Sequence, residues 1–214
     1  MKKLDKYNRV AGYLNKLFDM LNTDFFDGEL ERPVITIQSS PKAYGHFAMD
    51  RWTVNGENTC EINLGAGTLH RPIEELVSTL VHEQCHMLNH VYRNNIPSDV
   101  SRGGTYHNKL FKETAEAHGL IVERSEKYGW SHTSCSDELF QWILDNELED
   151  IQISRKDEFD SQTVGTIGGT RKRTATGKGN NSIRYVCSKC NTIVRATREV
   201  NIGCLDCDEP MIPS

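Results

Sequence analysis

The stretch Ile73–Tyr92, IEELVSTLVHEQCHMLNHVY, decides the fold of this chain. Its apolar residues recur every three or four positions, which is the spacing of a helix with one buried stripe. They are Ile73, Leu76, Val77, Leu80, Met87, Leu88 and Val91. Pro72 suits the first turn of a helix, and Glu74 and Glu75 suit the positive end of the helix dipole. We therefore predict a helix over Ile73–Tyr92.

This helix contains His82-Glu83-Gln84-Cys85-His86, which matches the pattern HExxH. Residues four apart lie on one helix face, so His82 and His86 can bind one zinc ion from a single rigid element. Glu83 points about 100° round the helix, where its carboxylate can take a proton from zinc-bound water. A surface helix carrying these residues by chance is the alternative. The apolar setting argues against it, because uncompensated buried polar groups are costly.

Length and composition predict a globular protein made of one medium domain and a small appendage. The chain has 214 residues, and no apolar run approaches the roughly 20 residues that span a bilayer. The N-terminus lacks the apolar core of a signal peptide, so we expect a cytoplasmic protein that does not engage a membrane. Residues 1–150 carry 15 Lys and Arg against 23 Asp and Glu, whereas residues 151–214 carry 10 against 7. The C-terminal end is therefore the basic one.

Four of the seven cysteines form two CxxC pairs, Cys187-x-x-Cys190 and Cys204-x-x-Cys207. Thirteen residues with strand-forming Ile and Val separate the pairs. Two such knuckles joined by a hairpin predict a zinc ribbon, because thiolates at this spacing suit tetrahedral Zn²⁺. A redox pair would need a βαβ setting that the sequence does not show. So small a module has little core, and we expect its zinc to drive its folding.

Periodicity and turn residues predict the other elements. The predicted helices are residues 3–22, Tyr106–His118 and Asp137–Asp145, the last capped by Ser136. The predicted strands are Pro33–Gln38, Ala43–Met49, Thr59–Leu64 and Leu120–Glu123, with a turn at Asn55-Gly56 that pairs the second and third. Arg93–Thr105 is predicted to be a loop. We divide the chain into a domain over residues 1–150, a flexible basic linker over 151–181 and a ribbon over 182–214.

A catalytic zinc ion usually takes a third protein ligand, for which the sequence offers several candidates. His90 lies one turn beyond His86, too far along the helix to complete the same site, and a polar or supporting role suits it better. A third histidine six residues past the second is excluded, because that position is Tyr92. Glu113 and Glu116 are possible ligands on the following helix. His107 fits best, because it would begin a second helix packed against the first.

Several motifs together resemble the SprT-like (Spartan-like) metalloprotease family. They are Asn22–Leu30, Tyr44-Gly45-His46-Phe47, Trp52, Glu61-Ile62-Asn63-Leu64, HEQCH and His107-x-x-x-Phe111, in family order over about residues 5–120. The resemblance implies that His107 is the third ligand, although the family usually has Gly-His-Gly where this chain has Tyr106-His107-Asn108. It also implies an α+β fold: a helical HExxH metalloprotease core with a small antiparallel sheet, followed by the ribbon. One catalytic and one structural zinc ion are expected.

By the same resemblance, the expected activity is zinc-dependent cleavage of proteins bound to DNA. Basic residues of the linker and ribbon are the candidate nucleic-acid contacts: Arg171, Lys172, Arg173, Arg184 and Lys189. Tyr185 is a candidate for stacking on a base, Tyr106 for stabilising an oxyanion and His46 for lining the cleft, each against an ordinary structural role. The alternative function is a nucleic-acid-binding protein whose HExxH domain is a scaffold. The sequence contains no clear signal of the oligomeric state.

Overall fold

The computed structural model describes residues 3–40, 43–92, 98–101, 105–156, 183–190, 192–196 and 199–213. Contacts divide the chain into two compact units, Met1–Thr170 and Arg171–Ser214. The fold is mixed α/β with small sheets, and a cluster of four cysteines lies in the second unit. No helix of the described residues is both long and apolar enough to cross a membrane. The cytoplasmic location stays a prediction.

The first unit begins with a helix and a three-stranded sheet. Helix α1 covers Tyr7–Phe25, and strands β1, β2 and β3 cover Val34–Gln38, Gly45–Val54 and Glu57–Gly65. The strand order is β1-β3-β2, with β2 antiparallel to β3 as predicted but β1 parallel to it. The sheet is therefore mixed, and the expectation of a purely antiparallel sheet was wrong. Asn55 and Gly56 form the β2–β3 turn, and both have positive φ, at 53° and 88°, as tight hairpin turns require.

The predicted central helix is present, but it changes form near its end. Helix α2 covers Ile73–Met87 and is followed by a π-helical turn, Leu88–Tyr92. The wider turn is occupied by Asn89 and His90, whose side chains both donate to Asp99. Local widening of a helix of this kind is frequent at functional sites. The buried stripe of α2 packs with α1 and with β3 in one apolar core.

A second sheet and two helices complete the first unit. Strands β4, β5, β6 and β7 cover Val100–Ser101, Tyr106–His107, Leu120–Ser125 and Gly129–Cys135, in the order β4-β5-β7-β6. Helices α3 and α4 cover Lys109–Ala117 and Asp137–Asp145. The Ser136 hydroxyl accepts the Leu139 N–H, which confirms the predicted cap of α4.

His107 does not begin a helix, contrary to the sequence-based expectation. It lies in the two-residue strand β5, and Asn108 caps α3 by accepting the N–H groups of Leu110 and Phe111. The Asn108 side chain satisfies the first free donors of the helix, so α3 begins at Lys109, three residues after the predicted start at Tyr106. His107 is therefore held by β-pairing, and its N–H donates to the Tyr128 carbonyl at 2.9 Å.

The first described residues of the predicted linker pack against the first unit. Ile151 is buried in the main core. The Gln152 N–H donates to the Leu4 carbonyl, and the Arg155 N–H donates to the Ala66 carbonyl. Residues 157–181 of the predicted linker lie outside the described residues.

The second unit is a small antiparallel sheet. Strands β8, β9, β10 and β11 cover Ile183–Cys187, Ile193–Ala196, Gly203–Cys204 and Glu209–Pro213, in the order β10-β11-β8-β9. In the part of this unit that the structure describes, the core consists of four buried side chains, of which two are cysteines: Tyr185, Cys187, Cys204 and Met211.

Candidate metal centre

Three imidazoles meet on one side of α2. The Nε2 atom of His107 lies 3.1 Å from that of His82 and 3.1 Å from that of His86, and the other two are 3.2 Å apart. His82 and His86 occupy successive turns of α2, and β5 supplies His107. Phe111 packs against all three rings, with centroid distances of 4.5 to 4.6 Å. This contact explains the spacing of His107-x-x-x-Phe111: the first turn of α3 places the phenyl ring beneath the triad.

The triad fits a zinc ion. Nitrogen atoms 3.1 to 3.2 Å apart leave a point about 1 Å from their plane that is 2.0–2.1 Å from each, the usual Zn–N distance. Burial and, to a smaller extent, the neighbouring His86 lower the pKa of His82 well below its ordinary value and the pKa of His107 to about 4. Both rings are therefore neutral, as metal ligation requires.

A carboxylate that the sequence-based reasoning missed supports the triad. Asp99 is fully buried, and its Oδ2 accepts from His86 Nδ1 at 2.8 Å. Since an ionised carboxylate only accepts, His86 carries its proton on Nδ1 and presents a bare Nε2 to the triad. Burial raises the pKa of Asp99, but hydrogen bonds from His86 and His90 outweigh it and hold that pKa well below its ordinary value. Asp99 lies within the stretch predicted only to be a polar loop, where no periodicity marks it.

His90 takes the supporting position that the sequence indicated. Its Nε2 donates to Asp99 Oδ1 at 2.6 Å, and its ring lies 6.1 Å from that of Phe47. Ligand atoms of His86, His90 and Asp99 also lie close enough together to be considered as a metal cluster. Separations of 2.6 and 2.8 Å are hydrogen-bond distances, and donors that share a tetrahedral ion lie about 3.3 Å apart. The second cluster is therefore a hydrogen-bonded support for the first.

Glu83 lies beside the triad, buried at the contact between α2 and the edge strand β2. Only 3% of the residue is exposed, and its carboxylate accepts the backbone N–H of Phe47. Burial raises the pKa of Glu83 to about 7, although His86 and the Phe47 N–H both act to lower it. A carboxyl group with a pKa near neutrality is suited to accept and return a proton. Glu83 is thus placed for acid–base chemistry at the metal centre.

Gly45 allows the close approach of β2 to Glu83. A Cβ at this position would lie 3.1 Å from Glu83 Oε1 and 3.0 Å from both the Asn63 carbonyl oxygen and Thr79 Cγ2. We expect Gly45→Ala to lower the free energy of unfolding by about 1–3 kcal/mol, because overpacking must move a backbone or a β-branched side chain. Urea denaturation of the full chain measures this change.

Gly12→Ala is the matched control. This position on α1 has no atom within 4 Å of an added Cβ, so the change should raise the free energy of unfolding by about 0.5–1 kcal/mol through helix propensity. Equal unfolding midpoints for the two variants would contradict the tight contact at Gly45.

The remaining candidates from the sequence lie away from the triad or have other partners. Glu113 and Glu116 are exposed on α3, and Glu116 pairs with Lys112, so neither is in place as a third ligand. The Tyr106 hydroxyl accepts from Arg124 at 3.4 Å. His46 is exposed on β2, with Nδ1 lying 3.5 Å from the side-chain nitrogen of Asn63.

The second unit contains the other metal-binding candidate. The sulfur atoms of Cys187, Cys190, Cys204 and Cys207 lie within 4.8 Å of one another, and those of Cys190 and Cys204 are 3.6 Å apart. Tetrahedral zinc with Zn–S bonds of 2.3 Å places its sulfurs about 3.8 Å apart, so the cluster fits this ion. Hydrogen bonds from Thr192 lower the pKa of the Cys190 thiol to about 6. The cluster can form a zinc ribbon.

The described part of the second unit is not strongly basic. Its cations are Arg184, Lys189 and Arg195, and its carboxylates are Glu199, Asp206, Asp208 and Glu209. Arg184 lies opposite Arg195 across β8 and β9, and Lys189 is exposed. The Tyr185 ring is buried, and its hydroxyl accepts the Val200 N–H, so the expectation that it stacks on a base was wrong. Arg171, Lys172 and Arg173 lie outside the described residues, and nucleic-acid contact stays a prediction.

Comparison with known proteins identifies the family. The model of the SprT-like family matches residues 14–127, which is more than half of the chain and includes α2, β5 and α3. No curated protein and no solved structure gives a match. The matched region contains the histidine triad and Glu83. The chain therefore belongs to the SprT-like family.

Proposed function

We propose that this chain is a zinc-dependent endopeptidase, with His82, His86 and His107 as the ligands of a catalytic zinc ion. The observation that carries the proposal is the meeting of three Nε2 atoms within 3.2 Å beside a buried glutamate. Membership of the SprT-like family supports the proposal, because it points to a zinc metallopeptidase domain. A second zinc ion, bound by the four cysteines of a ribbon over residues 182–214, would be structural.

When bound, the zinc ion supplies Lewis-acid polarisation of the scissile carbonyl and lowers the pKa of water at its open position. Glu83 accepts a proton from the attacking water as the new C–O bond forms. It then returns that proton to the amide nitrogen as the C–N bond breaks, so that the products are a carboxylic acid and an amine. The Phe47 N–H holds one end of the Glu83 carboxylate during both transfers. His86 keeps the proton on its Nδ1 atom throughout and donates it in a hydrogen bond to Asp99.

The substrate is expected to be an extended peptide that adds to strand β2. The predicted strand Thr59–Leu64 lies in β3, the central strand of its sheet, and so offers no free edge. Strand β2 is the edge strand next to α2, and its Phe47 contacts Glu83. A peptide paired with this edge would pass beside the histidine triad.

His107→Ala tests the metal centre. We expect the variant to bind one zinc ion per chain where the unchanged protein binds two, and to lose cleavage of casein, because two ligands do not hold the ion against competing water. Atomic emission gives the metal content, and gel electrophoresis of casein or histone digests gives the activity.

Glu113→Gln is the control for this experiment. It changes an exposed residue of α3 that the sequence alone offered as a rival ligand, and it should keep both zinc ions and full activity. Loss of one zinc ion in Glu113→Gln with retention in His107→Ala would reverse the ligand assignment. Two zinc ions without any proteolysis in the unchanged protein would contradict the enzymatic proposal.

DNA-associated proteins are the proposed substrate class. Support comes from the resemblance noted in the sequence and from the excess of 10 basic over 7 acidic residues in residues 151–214. The alternative is a nucleic-acid-binding protein with an inactive HExxH scaffold. It does not explain why Glu83 is buried beside the triad. Cleavage of histone with and without DNA, over a salt series, separates the two, because phosphate contacts weaken with salt.

A further inference from the structure

Asp99 contacts both helix α2, which supplies His82 and His86, and the residue that follows His107. It is fully buried, immediately before β4. Its side chain contacts the end of α2 and the π-helical turn, through His86, Asn89 and His90. Its backbone contacts the residue next to His107. Asp99 therefore connects the two histidines of α2 with the histidine of β5.

Three side-chain donors hold the Asp99 carboxylate. Oδ2 accepts from His86 Nδ1 at 2.8 Å and from Asn89 Nδ2 at 3.0 Å, and Oδ1 accepts from His90 Nε2 at 2.6 Å. Asn89 is fixed in turn, because its Oδ1 accepts from the Thr114 hydroxyl of α3 at 2.8 Å. A carboxylate with three donors has little freedom to move. The His86 ring is consequently restrained in both position and tautomer.

The backbone contacts of the same segment hold the third histidine. The Asp99 carbonyl accepts the Asn108 N–H at 3.0 Å, and the Ser98 carbonyl accepts from Asn108 Nδ2 at 2.6 Å. Val100 pairs with His107 across β4 and β5. Any displacement of Asp99 would therefore move His86 and His107 relative to each other.

The Nδ1 atoms of the other two histidines, His82 and His107, have weaker hydrogen bonding than that of His86. His82 Nδ1 lies 3.2 Å from the Thr133 hydroxyl, which can either donate or accept. Within the described residues, His107 Nδ1 is buried and has no hydrogen-bond partner. Of the three histidines, only His86 thus makes a charge-assisted hydrogen bond of the kind that stabilises a ligating imidazole.

We propose that Asp99 is the positioning residue of the metal centre, fixing the tautomer of His86 through its carboxylate and the location of His107 through its backbone. This inference rests on the proposed function, since it concerns the zinc ion that the triad would hold. Asp99 acts only through the two histidines, because its carboxylate is held by His86, Asn89 and His90. His90 and Asn89 contribute by holding the carboxylate.

Asp99→Asn in the full chain tests this role. The amide keeps the size and the backbone contacts but places a neutral group, and a possible donor, opposite His86 Nδ1. We expect the affinity of the histidine site for zinc or cobalt to fall about 10- to 100-fold, the usual effect of losing such a partner. Cobalt, added while the cysteine cluster retains zinc, reports on the histidine site through its visible d–d bands. Chelator competition then gives the affinity.

Two further readouts separate positioning from simple destabilisation. A structural role would lower the melting temperature of metal-free and metal-bound protein alike, whereas a positioning role shrinks the increase that zinc produces. Asp145→Asn, at the exposed end of α4, is the matched control and should behave as the unchanged protein. Wild-type cobalt affinity and d–d bands in Asp99→Asn would overturn the inference while leaving the zinc proposal intact. If the unchanged chain does not bind metal at its histidines, both the zinc proposal and the inference about Asp99 are contradicted.

If Asp99→Asn does not fold, the unchanged protein still gives an answer. Long-range ¹H–¹⁵N spectra of the metal-free chain distinguish the two neutral tautomers of each histidine. We expect His86 in the Nδ1–H form, with its proton shifted downfield by the carboxylate. A His86 ring in the Nε2–H form would overturn the inference.

Discussion

Glu83→Gln is expected to lower kcat for peptide cleavage by roughly 10²- to 10⁴-fold, the range that general acid–base catalysis supplies. The amide has the size of the carboxylate, and its oxygen can still accept the Phe47 N–H, so the packing of β2 on α2 should persist. What the amide cannot do is accept a proton from the attacking water. Zinc content should stay unchanged, because Glu83 is not part of the histidine triad.

The experiment compares initial rates of cleavage of a fluorogenic peptide or casein, with zinc content and melting temperature measured on the same samples. Glu113→Gln makes the same chemical change on the exposed face of α3 and should retain the full rate. Undiminished proteolysis in Glu83→Gln, with two zinc ions bound, would exclude Glu83 as the acid–base group. Equal loss of rate and of zinc would instead indicate a structural role for the carboxylate.

Long, strongly patterned segments were predictable from the sequence. The buried stripe of α2, the HExxH spacing and the cap of α4 at Ser136 all depend on local rules that tertiary contacts did not override. The Asn55-Gly56 turn is similar, because few residue pairs accept positive φ at both positions. These local signals were enough to place His82, Glu83 and His86 on one helix.

Other parts depend on contacts that are distant in sequence. Strands β4 and β5 have two residues each, too few for any periodicity, and β7 carries polar residues such as Ser131 and Thr133 that are nevertheless buried. The position of His107 follows from pairing with these strands and not from the helix that succeeds it. Asp99 gives no local signal, because its environment is formed by α2 and by Asn108.

The second large effect concerns the ribbon. We expect Cys187→Ser to unfold residues 183–213 while the first unit, whose histidine site keeps its own zinc ion, retains its melting temperature. Among the described residues of the second unit, four side chains form the buried core, and two of them, Cys187 and Cys204, belong to the metal cluster itself. So small a core contributes little, whereas structural zinc contributes about 10–16 kcal/mol of binding free energy that is also folding free energy.

Hydrogen exchange followed by mass spectrometry measures this effect peptide by peptide. Peptides from β8, β9 and β11 should lose their protection in Cys187→Ser, and peptides from α1 and α2 should keep theirs, because their core is separate. Cys60→Ser is the control, since this half-buried cysteine of β3 lies outside the four-cysteine cluster. Retained protection of the β8–β9 hairpin after zinc removal would show that the sheet folds without metal. Zinc binding would then contribute little to the folding of the ribbon, and the small core would have to be stabilised by its own contacts.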